Sequence, residues 1–346
     1  MKPELLIISH KWETNRSENT SVEYFCNLLS PNFNVTNGKN IKINYRIGRI
    51  IKYFSNSKKF ANFSAPYNSH YAGQELWGII EFLKLKPKVV FFPYADYNYN
   101  YFWILKKFFQ FKLVLYTYFS EFELENRFKS LSHFKRADLI LAAGKTQVNY
   151  LKSILPENNI VFFPLGVNTS FFTPSLNYTK YKIIHSGANR RDFKTLFTVV
   201  EKLHNIYPQL KVSLIGCDTV KKTLSIPDFV EILPFLNDNE LKSVYQSAHI
   251  QLLLLNDGGS SNSLNEGMAC GLPLIITDMP NITDYVDDTC VIKVPLQGED
   301  EIIKACQRIF ESNFERDRLA TAARSQILKY DWDNLRINFN LIINSI

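Results

Sequence analysis

Residues 251–278 read QLLLLNDGGSSNSLNEGMACGLPLIITD. The apolar run Gln251–Leu255 reads as a buried strand, followed by a Gly-Gly-Ser-Ser-Asn-Ser loop and a short helix that stops at Gly271. Pro273 then leads into a second apolar run, Leu274–Asp278. A strand, a glycine-rich turn, a helix and a further strand make a βαβ unit of a parallel sheet, and such sheets bind ligands at the carboxyl ends of their strands. Asp257, Gly258 and Gly259 occupy that end. Glycines admit a ligand close to the backbone, and the amides that open a helix, here those of Ser260 to Leu264, attract phosphate oxygens. Ser260, Ser261 and Ser263 add hydroxyl donors, and Ser261 or Asn262 is placed to cap the helix. Glu266, read as a first-turn residue, stands within reach of vicinal hydroxyls such as those of a ribose. Spacing alone leaves a plainer alternative open: the glycines and serines as turn formers, and Glu266 as a surface acid favoured by the helix dipole.

Outward from this stretch, strand-like runs alternate with helix-like segments. The runs are Leu5–Ser9, Val89–Tyr94, Leu113–Tyr118, Leu139–Ala143 and Ile160–Pro164, then Lys182–Ser186, Lys211–Gly216, Val230–Pro234, Ile250–Leu255, Leu274–Asp278 and Val291–Val294. Two doubly wound α/β domains follow from that alternation. The proline-, glycine- and polar-rich segment 164–181 is the expected boundary, giving domains at 1–170 and 171–328 and a helix over 329–346 that returns to the first domain. Thr20 and Glu23 have capping-box spacing ahead of Val22, Phe25 and Leu28, which predicts a first helix starting at Thr20.

With 346 residues, 46% of them hydrophobic and 21% charged, the chain has material for two cores. Mean hydropathy is −0.14. Five scattered cysteines without a C-x-x-C pair suggest neither a disulfide framework nor a zinc site, and point to a reducing cytoplasm. The opening MKPELLIISH is too short an apolar run for a signal peptide, and no stretch reads as a membrane span. Charge is uneven: residues 1–150 carry 21 Lys+Arg against 11 Asp+Glu. A one-sided positive field suits an anionic partner. Basic and aromatic residues interleave in NYRIGRIIKYFSNSKKF, 44–60, and again in YFWILKKFFQFK, 101–112. The first is the expected contact with an anionic membrane, while both also fit helices packed on their own sheet. No nucleic-acid recognition motif accompanies the charge, so a nucleic-acid partner is not expected.

EGMACGLPLIITD with the preceding SSNSLN resembles the signature of GT-B glycosyltransferases of the family 4 type, the retaining "glycosyl transferases group 1". Of that family's E-x7-E pair, the second acid falls on Glu266 and the first on Gly258, with Asp257 the nearest carboxylate. VFFPLGVNTSFFTP, 161–174, resembles the family's interdomain linker, with Asn168 for its usual Asp. IIHSGANRRDFKTLFTVVEKL, 183–203, resembles the strand, loop and helix that open its donor domain. The resemblance implies that Arg191, in place of the family lysine, and Arg190, standing in for an arginine at Ala188, hold the donor diphosphate. It implies further that Pro234 and Phe235 flank the base and Glu266 holds the ribose.

In the first half the family's glycine-rich loop is absent, and SHKWETNRSENT offers His10 as a catalytic candidate facing the cleft. Tyr118, Ser120 or Glu121 stands where members often have His-Asp. Asp331-Trp332-Asp333 spells the D-x-D of metal-using transferases, but in a helical context near the chain's end it reads as coincidence.

The expectation is therefore two doubly wound Rossmann-like domains facing a cleft, forming a cytoplasmic retaining glycosyltransferase peripheral to the inner face of the plasma membrane. It would move a sugar from a nucleotide-diphosphate sugar to a lipid-linked or polysaccharide acceptor, with no cofactor and no metal. A sugar-nucleotide epimerase of the same fold and a non-catalytic sugar-nucleotide-binding partner are the alternatives.

Overall fold

The computed structural model describes residues 4–9, 19–29, 69–217, 225–234, 236–259, 261–280 and 282–346. His10, Phe235, Ser260 and the basic segment 44–60 lie outside the described residues. The chain forms two compact units. One holds the first strand, Val22–Pro164 and Arg336–Ile346, and the other holds residues 19–21 and Leu165–Leu335.

In the first unit β1 (Leu5–Ile7), β2 (Val89–Phe92), β3 (Lys112–Thr117), β4 (Leu139–Ala142) and β5 (Ile160–Phe162) lie side by side in chain order, every pair parallel. The central strands are unbroken apolar runs because helices cover both faces, so inward and outward positions are equally dry. Leu113, Val114, Leu115, Leu139, Ile140 and Leu141 are all fully buried.

The turn after β3 is fixed by Asp96, a buried carboxylate that accepts the N–H of Tyr118 at 2.5 Å and of Phe119 at 3.1 Å, as well as the hydroxyl of Thr117. Two of the candidates in YTYFSEFE are thereby accounted for. Ser120 caps the helix Glu121–Arg127 by accepting Glu123 N–H at 3.2 Å, and Tyr118 donates its hydroxyl to Pro93 C=O at 2.7 Å.

The first helix runs Val22–Leu29, so it begins at Val22, not Thr20. The Thr20 hydroxyl donates to Glu266 Oε1 at 2.8 Å, and Glu23 accepts the hydroxyl of Tyr94 at 2.6 Å. The helix Trp332–Ser345 sends Phe339 into the first unit's core, its ring 5.0 Å from that of Phe91 and 5.3 Å from that of Phe25. Asp331 ahead of that helix accepts Thr169 N–H at 2.9 Å and Asp333 N–H at 2.8 Å, so the D-x-D carboxylate is a structural clasp.

In the second unit β6 (Lys182–Ser186), β7 (Lys211–Ile215), β8 (Val230–Leu233), β9 (Ile250–Leu253), β10 (Leu274–Thr277) and β11 (Ile292–Val294) form one parallel sheet in the order β11-β10-β9-β6-β7-β8. The chain moves outward from β6 to β8, then returns to β9 on the other side and moves outward again. That reversal places a topological switch point between β6 and β9. All eleven described strands fall on apolar runs of the sequence, and both units are Rossmann-like.

Candidate functional site

The two loops that resemblance singled out are the loops that leave the two switch-point strands. β6 and β9 pair through Ile183 with Ile250 and Ile184 with Gln251. The next residue, His185, is fully buried and reaches with Nδ1 to Leu252 C=O at 2.9 Å. Burial, reinforced by the charge of Arg191, drops its pKa from the usual 6.5 to about 3, so the imidazole is neutral and Nδ1 donates. Its Nε2 is buried with no hydrogen-bond partner among the described residues.

Beyond His185 the β6 loop turns at Gly187, φ +86°, and the chain comes back to meet the β9 loop. Arg191 and Leu255 form a bridge, Asn256 N–H donates to Arg190 C=O at 2.9 Å, and Asn256 Nδ2 donates to Arg191 C=O at 3.1 Å. Arg190 is held in the left-handed region at φ +58°, a conformation costly for any residue but glycine.

The Arg191 guanidinium spans the mouth of the switch point. Nε donates to Ser186 C=O at 2.9 Å, and Nη2 donates to Ser263 Oγ at 2.9 Å and lies 3.5 Å from Ser261 Oγ. The two serine hydroxyls are themselves 2.8 Å apart. Burial lowers the Arg191 pKa to about 10, which leaves it charged at neutral pH. Gly187 makes room for it, since a Cβ there would stand 2.8 Å from Nη2.

Arg190 lies over Gly259, whose added Cβ would meet its Nη1 at 2.2 Å, and its Nε is 3.7 Å from the carboxylate of Asp257. Position 258 has no space for a side chain at all: a Cβ there would fall 2.2 Å from the carbonyl oxygen of Pro280. The glycine where family members carry an acid is thus imposed by the backbone facing it.

Ser261 stands at the N-cap of the helix Asn262–Ala269, but makes no side-chain cap bond, because its hydroxyl is turned to Ser263 and Arg191. Leu264 N–H is donated to Ser261 C=O at 3.2 Å. The amides of Asn262 and Ser263 are those that a first turn leaves without carbonyl partners.

Glu266 is not on the first turn and not on the surface. It is 5% exposed, with Oε1 accepting from Thr20 at 2.8 Å and Oε2 from the Tyr245 hydroxyl at 2.8 Å. Burial pushes its pKa up, against the pull of those two hydrogen bonds and of Arg191. Pro234 is exposed immediately after β8.

Two residues of the site escaped the sequence. Gln251 is fully buried in β9, donates Nε2 to Ser263 C=O at 2.8 Å, and fills the space over Gly267, where an added Cβ would stand 1.6 Å from its Oε1. Tyr245, which holds Glu266, carries no local signature. Among the described residues no group of three His, Cys, Asp or Glu side chains is placed to hold a metal ion. All five cysteines are buried free thiols. No helix among the described residues is long and apolar enough to cross a membrane.

A sequence profile of the family described as "Glycosyl transferases group 1" matches residues 168–326, which contain every described residue just discussed from Ile183 to Pro280. No curated protein sequence matches the chain. Among solved structures it is similar to HepE of Anabaena in complex with UDP and glucose, with a TM-score of 0.72 at 12% identity over 99% of this chain and all of the other. It is also similar to a glycosyltransferase of Rickettsia africae, with a TM-score of 0.65 at 14% identity, 98% of this chain and 96% of that one. Sucrose-phosphate synthase of Thermosynechococcus elongatus superposes with a TM-score of 0.68 at 15% identity, over 80% and 78% of the two chains. Residues 168–326 thus match a glycosyl transferases group 1 domain, and the chain as a whole shares the GT-B fold of these solved structures.

Proposed function

We propose that the protein transfers a sugar, with retention, from a nucleoside-diphosphate sugar to a lipid-linked or polysaccharide acceptor in cell-surface glycan synthesis. One observation carries the donor half of this reading: a charged, half-buried guanidinium braced on two serine hydroxyls at the opening of a helix, at the switch point of a parallel sheet. A leaving diphosphate gathers negative charge as the glycosidic bond breaks, and donors already fixed around it stabilise that charge without reorganising. Arg191 and Arg190 would supply the cations, with the amides of Asn262 and Ser263 and the serine hydroxyls as further donors. Pro234 would flank the base, and Glu266 would turn one carboxylate oxygen from Thr20 or Tyr245 to the ribose. HepE, solved with UDP and glucose, supports a nucleotide sugar as the donor class.

Incubation with UDP-, GDP- and dTDP-sugars, with and without glycan acceptors and followed by NMR, tests the reading. We expect the donor to be consumed only with acceptor, its anomeric configuration to survive in the product, and EDTA to leave the rate unchanged. Release of an epimerised sugar without acceptor would make the protein an epimerase. Tight nucleotide binding with no turnover would make it a binding partner.

A further inference from the structure

The basic–aromatic segment 101–112 plays no part in the donor site. It folds as a short 3-10 turn, Phe102–Lys107, followed by β3, and it stands at the amino-terminal edge of the first sheet. Phe102 turns inward, but Phe108 is 74% exposed and Ile104 is 39% exposed. Lys112 opens β3, and its N–H is donated to Lys88 C=O at 2.8 Å, which joins this segment to the Lys86-Pro87-Lys88 run ahead of β2. Phe109 packs on Phe82 from the helix before that run, with ring centroids 5.4 Å apart. A cavity of about 720 Å³ opens on the same edge, with Lys88, Lys106, Phe109 and Lys112 among its lining.

Lysines dominate here beyond what local acids neutralise. Lys88 pairs with Glu4 at 3.2 Å, and Lys106 pairs with Asp138. Lys86, Lys107 and Lys112 are exposed and have no acidic partner among the described residues. Exposed aromatic and aliphatic side chains on one edge with lysines that no described acid neutralises match the interface of an anionic bilayer, where rings sit at headgroup depth and ammonium groups meet lipid phosphates. A protein partner of this chemistry would need a matching acidic apolar face; a bilayer of anionic lipid offers both properties everywhere.

We infer that this edge docks on an anionic phospholipid surface, with Phe108 and Ile104 supplying the apolar contact and Lys86, Lys107 and Lys112 the charge. The edge lies at the opposite end of the strands from the carboxyl ends of β1 to β5.

Sedimentation with vesicles of phosphatidylcholine alone, or mixed with phosphatidylglycerol, tests the inference. The whole chain should bind only the mixed vesicles, less as salt rises. Each lysine near such a surface contributes roughly fivefold to partitioning, so Lys107→Glu/Lys112→Glu should lower binding at least about tenfold. Phe108→Ser should lower it about fivefold at unchanged salt dependence. Both variants alter exposed side chains and should melt as the parent does. No binding by the parent, equal binding to neutral vesicles, or parental binding by both variants would overturn the inference; the last would place the contact on another part of the chain.

Discussion

At the scale of single residues, the proposed donor site is made by side chains whose charge state is set by burial. Arg191 remains a cation although burial draws it down to about 10, and its planar fork reaches a backbone carbonyl and a serine hydroxyl together. A lysine cannot reproduce that fork. Arg191→Ala should lower kcat/KM at least about a hundredfold, in line with losing one donor to a developing charge, and Arg191→Lys should recover only part of it. Steady-state kinetics on variants with parental melting temperatures would check this, and an unchanged kcat/KM would remove Arg191 from the mechanism.

Histidines give a second residue-scale consequence. His133, packed in the first unit between the rings of Tyr99 and Phe128, falls from 6.5 to about 3, and His185 in the second unit does the same, both because burial disfavours the charged ring. Below pH 6.5 the unfolded chain takes up protons that the native state refuses until about pH 3. Their contribution is therefore complete above 6.5 and is lost as the pH falls toward 3. Each such histidine should add up to about 1.4 kcal/mol of lost stability per pH unit in that window. His133→Phe should flatten the acid side of the stability profile; an unchanged slope would contradict the assignment.

At the scale of elements, the helix Asn262–Ala269 and strand β9 are fitted by a single exchange of volume. Gln251 occupies the space that an alanine at 267 would need, and it tethers the first turn of the helix through Ser263 C=O, next to the hydroxyl that meets Arg191. Gly267→Ala should destabilise the parent by about 1 to 3 kcal/mol through overpacking. In a Gln251→Ala background the same change should be neutral or stabilising, because a helical alanine is favoured over glycine by about 1 kcal/mol. Equal costs in both backgrounds, measured by denaturant unfolding, would show that the two residues do not compete.

The strands were legible because each is an apolar run bounded by turn formers, and the site loops because glycines and serines stand at strand ends. What the sequence did not disclose are contacts between distant segments. Glu266 reads as a surface acid until Tyr245 and Thr20, 21 and 246 residues away in the chain, close around it. Gly258 reads as a lost carboxylate until the Pro280 carbonyl is seen in its place. Thr20 has the spacing of a helix cap, and nothing in its neighbourhood along the chain announces that its hydroxyl donates to a buried carboxylate.

At the scale of the whole molecule, the chain's last helix belongs to the core of the first unit through Phe339, which is fully buried against Phe25, Phe91 and Phe163. Phe339→Ala should cost about 3 to 5 kcal/mol. Hydrogen exchange should then accelerate in β1, β2 and the helix Val22–Leu29, while nucleotide affinity in the second unit stays at the parental value. A fall in affinity that tracks the lost stability would contradict that division. The central claim is that a diphosphate sits between Arg191 and the opening of the Asn262–Ala269 helix. Isothermal titration of the parent and Arg191→Ala with UDP, GDP and dTDP, and with the corresponding nucleosides, tests it directly. The account predicts that one diphosphate binds the parent far more tightly than its nucleoside and that Arg191→Ala abolishes the difference; binding that ignores the diphosphate, or survives the substitution unchanged, would contradict it.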